Sequence, residues 1–513
     1  MTTFEWIIAL LLAAVALSAL ARRIKVPYPT FLAIGGALLA FVPASPSWTL
    51  EPHLALALFV APVLLDAAYD TSLRDLRHNW IPVTTLVVAA VGVTTAAVAV
   101  LVHWLVPDMP WAAAVALGAI VAPPDAAAAT AILRQVRLPY RMLKILEGES
   151  LLNDASALLI YRLAIGAVAA QHLSWSEFAP SVVLALAGSL IFGHVCARLW
   201  MLVTRQVSDV PSAIILQFAA TFTVWIIAEH IGLSGILTIV AYAFTISRAA
   251  PARTPARVRV PSYAVWETVV FILNVLAFIL IGMQLAPIWS RLDDTVRWNY
   301  SVTAGWVLVV VILVRIVWVL LYGTTLRTLV ARHLFRPKNT RAIPTVRSGL
   351  AVSWCGMRGI VTLAAAFALP EDFPYRDLIL LSAFAVVLGS LVIQGLTLRP
   401  LILALQLKDD DPVAAEAARA RAAAYRAALD EIDGDPSDEA DILRLEYRAL
   451  LLRAEGDGGI ASGELPADPL RRRALGAARR CIIRLREEEA IGDDAFHQLE
   501  EEFDRAELSA ETG

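Results

Sequence analysis

The stretch that decides the fold is EGESLLNDASALLIY at residues 147–161, which opens a long apolar run yet carries several polar side chains. On a helix, residues four apart share a face, so Glu149 lies over Asn153. By the same spacing, Ser150 lies over Asp154, on a face about 100° away around the axis. Asp154 lies about 9 Å into this helix, which is too deep for a helix cap. Acidic side chains in a membrane helix are costly unless they face a partner or a watery cavity.

The composition is that of a polytopic membrane protein. Of the 513 residues, 58% are hydrophobic and only 17% are charged, well under the roughly 25% of a soluble domain. A net charge of −3, with no basic patch interleaved with aromatic residues, argues against nucleic acid as a partner. The three cysteines are too far apart in sequence to suggest a metal or disulfide framework, so no cofactor is expected.

Apolar runs predict an all-α fold with about thirteen transmembrane helices, since a span needs roughly 20 apolar residues. The candidate spans are 4–21, 28–43, 53–69, 81–106, 111–133, 146–170, 180–203, 212–229, 231–248, 263–288, 301–326, 348–369 and 376–404. The first run begins without a basic region, which favours a spanning helix over a cleaved signal. Residues 1–404 are therefore predicted to form the transmembrane domain. Residues 405–513 are charged, alanine-rich and helical in pattern, which indicates a small cytoplasmic region that is regulatory, dimerising or passive.

Basic residues are concentrated in alternate loops between the candidate spans. The loops on one side carry 21 lysines and arginines, and the loops on the other side carry three. Basic loops remain in the cytoplasm. The sequence thus predicts a multi-pass protein of the plasma (inner) membrane, with its N-terminus outside and its C-terminal tail in the cytoplasm.

This orientation gives spans 1–6 and spans 8–13 opposite directions, which predicts two inverted six-helix repeats. Transporters built this way have broken helices at matching positions near the middle of the membrane. Residues 123–125 (Pro-Pro-Asp) should break the fifth span, because proline lacks a backbone donor. Residues 356–359 (Gly-Met-Arg-Gly) should break the fifth span of the second repeat, since glycine makes unwinding cheap.

Two arginines inside the spans should need acidic partners, because a guanidinium keeps its charge. Arg358 lies at a predicted break, where the repeats should meet, so Glu149 is its expected partner. For Arg315 the sequence offers Asp66 or Asp125 without deciding between them.

Asp154 is then the acid that is least obviously committed to an arginine. Such a carboxylate can hold either a proton or a small hard cation, whose ligands are typically oxygens. Ser150, Asn153 and Asp125 are expected to supply further oxygens. Arg162, on the same helix, is expected to extend toward the lipid headgroups.

Four segments resemble sodium/proton antiporters of the NhaP and eukaryotic exchanger type. They are GESLLNDA (148–155), PVLLDAAYDTSLRDLRHN (62–79), NVLAFILIGMQL (274–285) and GMRGIVTLA (356–364). The similarity spans about residues 1–404. It implies a homodimer, with a dimerisation domain and a mobile core domain that contains two crossing broken helices. It also implies electroneutral exchange of one monovalent cation, usually sodium, for one proton.

The resemblance also implies roles for individual residues. The aspartate in the position of Asp154 binds the sodium ion or the proton, and Asn153 supports the site. The glutamate in the position of Glu149 pairs with the arginine of the glycine-rich motif, here Arg358.

One departure from the family pattern affects the first break. The family commonly has Thr-Asp-Pro there, whereas Pro124 and Ala126 flank Asp125 in this chain. A threonine oxygen that could help bind the cation is missing, which leaves sodium and potassium open as the preferred ion. The predicted function is a secondary antiporter rather than an enzyme, working by alternating access with competition at Asp154. The alternatives are a potassium/proton antiporter, a cation channel or an intramembrane aspartyl protease.

Overall fold

The computed structural model describes most of the chain, and the regular structure of the described residues is entirely helical. These residues are 3–24, 26–42, 51–125, 138–170, 175–204, 207, 209–333, 344–407 and 412–455, with a few more between 476 and 488. The chain divides into two compact units, Met1–Asp409 and Asp410–Gly513. The predicted all-α class is confirmed.

The first unit contains the apolar helices. They are α1 (Thr3–Ile24), α2 (Tyr28–Leu39), α3 (Pro52–Ala55, π-helical Leu56–Val60 and Ala61–Asp70), α4 (Leu73–His78), α5 (Trp80–Thr84, π-helical Thr85–Ala90 and Val91–Leu105), α6 (Trp111–Val121), α7 (Tyr140–Ala170), α8 (Trp175–Val203), α9 (Val210–His230), α10 (Gly235–Arg253), α11 (Ala256–Met283), α12 (Leu285–Arg291), α13 (Asp294–Ala331), α14 (Val346–Trp354), α15 (Ile360–Phe367) and α16 (Arg376–Leu405).

Several of these helices are suited to a bilayer. Among the described residues, eight helical stretches are long and apolar enough to cross a membrane, and shorter apolar helices include α2 and α6. This establishes a polytopic membrane protein. The count of thirteen spans and the inverted relation of two repeats stay predictions.

Two helix interruptions position the site. The predicted break at 356–359 is confirmed, because residues 355–359 are not helical and separate α14 from α15. On the other side, α6 ends at Val121, just before Pro123 and Pro124. Residues 126–137, which follow this first interruption, lie outside the described residues.

The helices of the first unit pack in two groups. The site group consists of α5, α6, α7, α13, α14, α15 and α16, and the flanking group consists of α1, α2, α3, α8, α9, α10 and α11. Within the flanking group, α2 and α11 cross closely through Gly36 and Gly282. A Cβ atom on Gly36 would lie 2.1 Å from the carbonyl oxygen of Ile279, and one on Gly282 would lie 2.1 Å from that of Ala33. Only glycine allows this approach of two backbones.

The second unit contains a hairpin of α17 (Pro412–Ile432) and α18 (Asp438–Glu455). Arg444 of α18 donates to the carbonyl of Ile432 at 2.6 Å, at the C-terminal end of α17, where carbonyl groups lack helical partners. In the turn, the backbone amide of Ser437 donates to Asp435 at 3.0 Å and holds the pKa of that carboxyl below its usual value.

Candidate functional site

A cavity of about 1320 Å³ lies between the site group and the flanking group. Its walls come from α3, α7 and α11, together with the two helix interruptions. The acidic residues that line it are Asp66, Asp70, Asp125, Glu147, Asp154 and Glu267, and the basic ones are Arg22 and Lys144. Acidic side chains thus outnumber basic ones, which favours the entry of cations.

The two polar faces of α7 have different surroundings, as the helical spacing predicts. Ser150 and Asp154 line the cavity. Glu149 and Asn153 are buried, with exposed fractions of 1% and 0%. The helix begins at Tyr140, six residues before the predicted start, so this polar segment lies in the body of α7. One face therefore meets solvent while the other joins the protein interior.

Asp125 reaches the same part of the cavity from the first interruption. Its carboxylate lies close enough to Asp154 for the two to repel each other when both are charged. A proton or a bound cation relieves such repulsion. With Ser150 beside them, these side chains present several oxygen atoms to the cavity.

The backbone of Asp125 connects the two helix interruptions. Its amide donates to the carbonyl of Met357 at 2.6 Å, so the interruptions meet directly. The side chain lies against Gly359, which precedes the first residue of α15. A carboxylate is favourable at this end of a helix, because the N-terminal amide groups carry a partial positive charge.

The partner of Glu149 is Arg315, so the predicted Glu149–Arg358 pair is wrong. Arg315 of α13 donates to both carboxylate oxygens of Glu149, at 2.5 and 2.9 Å. It also donates to the carbonyls of Ser353 and Val352, at 3.2 and 3.3 Å. These carbonyls end α14 and lack helical partners, so one guanidinium satisfies both the carboxylate and the helix end.

Arg358 is fully buried and bonds to backbone carbonyls instead of a carboxylate. Its Nε donates to Val121 at 3.2 Å and its Nη2 to Ala122 at 3.4 Å, and its Nη1 donates to Gly356. The first two carbonyls end α6, where a helix carries partial negative charge. The partial negative charge at the end of α6 therefore balances the positive charge of Arg358, a role that was predicted for the carboxylate of Glu149.

Asn153 ties α7 to the first interruption. Its Nδ2 donates to the carbonyl of Pro124 at 2.7 Å. Its buried Oδ1 has no hydrogen-bond partner among the described residues. The side-chain amide therefore fixes the position of α7 beside Asp125 and leaves its Oδ1 without a hydrogen-bond donor.

Other charged residues differ from their predicted roles or were missed. Asp66 and Asp125, the two candidate partners of Arg315, line the cavity, while Arg315 pairs with Glu149. Arg162, expected to extend toward headgroups, pairs with Glu229 at 2.9 Å. Lys144 and Glu147, both in the cavity wall, form an ion pair at 2.7 Å. Their spacing of three residues on one helix was the available sequence signal.

Gly359→Ala should disrupt the site, because a Cβ atom there would lie 1.6 Å from Oδ2 of Asp125. Overpacking of this kind typically costs about 1–3 kcal/mol, and we expect both the thermal midpoint in detergent and the exchange rate to fall. Gly166→Ala is the matched control, since nothing lies within 4 Å of the added atom. Equal behaviour of the two variants would contradict the close contact between Gly359 and Asp125.

Comparison with known proteins places the chain in a family. The profile described as "Sodium/hydrogen exchanger, transmembrane" matches residues 7–404. The chain belongs to the sodium/hydrogen exchanger family. The predicted resemblance is thereby confirmed for this transmembrane part.

Curated relatives of this exchanger carry related descriptions. It is 28% identical to a "Sodium, potassium, lithium and rubidium/H(+) antiporter" of Bacillus pumilus, over 98% of this chain and 77% of the relative. It is 33% identical to the protein of the same description from Bacillus subtilis, over 76% of this chain and 60% of the relative.

The fold also resembles a solved structure. The sodium proton antiporter MjNhaP1 from Methanocaldococcus jannaschii superposes on the exchanger with a TM-score of 0.60 and 16% sequence identity. The match covers 78% of this chain and 98% of that protein. At this identity the likeness establishes the shared fold.

Proposed function

We propose that this exchanger is a secondary antiporter that moves a monovalent cation, sodium in the first instance, against a proton. The two ions compete for the carboxylate of Asp154. The observation that carries the proposal is the placement of Asp154 on the wall of an acidic cavity, beside Asp125 and Ser150. The two buried arginines near the helix interruptions bond to Glu149 and to helix-end carbonyls.

The chemistry of the site suits a small monovalent cation. Carboxylate and hydroxyl oxygens are the ligands that hard cations prefer. Asp125, Asp154 and Ser150 supply such oxygens. Asn153 directly precedes Asp154 on α7, and its Oδ1 has no hydrogen-bond partner among the described residues. A single cation or a single proton at Asp154 carries one positive charge, so exchange at one site is electroneutral.

The cavity extends from this site toward one end of the helices. Its lining includes Arg22 after the apolar part of α1, Thr71 after α3 and Lys144 near the start of α7. By the distribution of basic residues, this end is assigned to the cytoplasm, with the N-terminus outside and the protein in the plasma membrane. The arrangement corresponds to an inward-open stage of alternating access. A homodimer is part of the same proposal.

Flux measurements decide between the proposed function and its alternatives. In proteoliposomes, an inward sodium gradient should drive protons outward through the purified protein, and an outward sodium gradient should drive protons inward. Lithium, potassium and rubidium belong in the same series, because two relatives are described as exchanging all four ions. Potassium-driven but not sodium-driven proton movement would favour the potassium antiporter. Cation flux without proton movement would indicate a channel.

The apparent KM for sodium should depend on pH in a defined way. Where Asp154 is mainly protonated, each unit of falling pH should raise the KM about tenfold, because one proton must leave for one cation to bind. Where it is mainly ionised, the KM should level off. The measurement is initial sodium uptake across a pH series with the membrane potential clamped.

A KM that does not change with pH would contradict competition at one site. A rate that follows the imposed potential would contradict electroneutral exchange. In that case a second titrating group would have to carry its own proton, and Asp125 and Asp66 are the first residues to substitute.

A further inference from the structure

An ion pair joins the two helix groups in the half of α7 that lies beyond Asp154. Nη2 of Arg162 donates to Oε2 of Glu229 at 2.9 Å. Arg162 belongs to α7 in the site group, and Glu229 lies near the end of α9 in the flanking group. Arg162 is about 12 Å beyond Asp154 along α7, whereas Lys144 of the cavity wall lies on the other side of Asp154. The pair therefore connects the groups where the cavity does not reach.

Glu229 is fixed within the flanking group by a second contact. Its Oε1 accepts a hydrogen bond at 2.8 Å from the amide of Gly235, the first residue of α10. The intervening turn contains Gly232 with φ of +78°, a left-handed conformation that favours glycine. One carboxylate oxygen of Glu229 thus stabilises the turn between α9 and α10, and the other accepts the hydrogen bond from Arg162 of α7.

The Arg162–Glu229 ion pair is weak enough to form and break during a functional cycle. The side chains of Arg162 and Glu229 are 46% and 29% exposed. A partly exposed ion pair typically changes an equilibrium constant by about twofold to fivefold. It can bias a conformational equilibrium without trapping the protein in one state.

We propose that Arg162 and Glu229 form a latch that is closed while the cavity is open beside Lys144 and that breaks when Asp154 turns to the other side of the membrane. The inference rests on the proposed antiport, because alternating access requires one helix group to move against the other. Asp154 and Arg162 lie on one continuous helix, so a displacement of the first also moves the second. Glu229 stays with the turn between α9 and α10.

A reversible tether tests whether the pair must separate. Arg162→Cys and Glu229→Cys are combined in a background in which Cys196, Cys355 and Cys481 are replaced, and the thiols are bridged with a bis-methanethiosulfonate reagent. We expect exchange to fall to the level of empty liposomes and to return when a reductant removes the tether. Undiminished exchange in the fully tethered protein would overturn the latch.

The matched control bridges two helices within the flanking group. His194 of α8 and Thr245 of α10 are in contact, with Nδ1 and Oγ1 3.2 Å apart. The tethered His194→Cys/Thr245→Cys protein should keep its exchange activity. The untethered proteins must also exchange cations for protons. If they do not, the proposed function fails, independently of the latch.

A second readout does not depend on transport. Asn274 lines the cavity on α11, and Asn274→Cys reports cavity opening through its rate of modification by an impermeant maleimide. Arg162→Glu places like charges at the latch and should slow this modification, by up to about fivefold. The exchanged pair, Arg162→Glu with Glu229→Arg, should restore the rate. A rate that the charge reversal leaves unchanged would overturn the proposal.

Discussion

Asp154→Asn should abolish cation–proton exchange while leaving the protein folded. An amide retains the shape of the side chain and one oxygen, but it cannot take up or release a proton and has no charge to hold a cation. We therefore expect exchange in proteoliposomes at the level of empty liposomes. The thermal midpoint in detergent should match or exceed that of the parent, because the repulsion between Asp154 and Asp125 is removed.

Asp70→Asn is the matched control for this substitution. Asp70 lines the same cavity from the end of α3, and losing its charge should weaken cation attraction without removing the exchange site. We expect a raised KM for sodium with the maximal rate retained. Normal exchange by a folded Asp154→Asn protein would contradict the assignment of the site.

Glu149→Gln and Arg315→Gln should each strongly destabilise the protein. The two residues have exposed fractions of 1% and 3%, and each substitution leaves its former partner buried without full compensation. Breaking a buried ion pair in this way costs about 3–5 kcal/mol. The measurement is thermal or denaturant unfolding of the detergent-solubilised protein.

A surface ion pair on α13, the helix that also carries Arg315, provides the control. Asp294 and Arg297 are partners on α13, with side chains 89% and 30% exposed, and their separation should cost at most about 1 kcal/mol. In double-mutant cycles, Glu149 should couple more strongly to Arg315 than to Arg358. Equal unfolding of Glu149→Gln and Asp294→Asn, or dominant coupling to Arg358, would contradict the observed pairing.

The local features of the site follow from the sequence because they depend on helical geometry. A spacing of four residues places Glu149 on the face of Asn153 and Ser150 on the face of Asp154, and these two faces lie about 100° apart around the helix axis. The first face is buried and the second lines the cavity. Glycines likewise predict the interruption before α15. These properties are fixed by the backbone period and by residue type.

The partners of the arginines do not follow, because they depend on which chain segments meet in space. Arg315 and Glu149 are 166 residues apart. A carboxylate is the partner expected for Arg358 from the sequence, whereas the end of α6 supplies carbonyls. Each predicted helix break creates such a carbonyl end, so the breaks themselves contained a signal for this outcome.

Arg162 shows the same limit further along α7. A long arginine side chain in a membrane helix is compatible with extension toward headgroups. The sequence alone does not place Glu229 beside it, since the contact joins different helix groups.

Competition between sodium and a proton at Asp154 is tested most directly by proton release on cation binding to the detergent-solubilised protein. Sodium is added in a weakly buffered solution across a pH series, and the released protons are counted with a pH indicator. Where Asp154 is protonated before sodium is added, we expect about one proton to be released per sodium ion bound. We expect no release from Asp154→Asn. Sodium binding without proton release at any pH, or undiminished release from the Asp154→Asn protein, would contradict competition at Asp154.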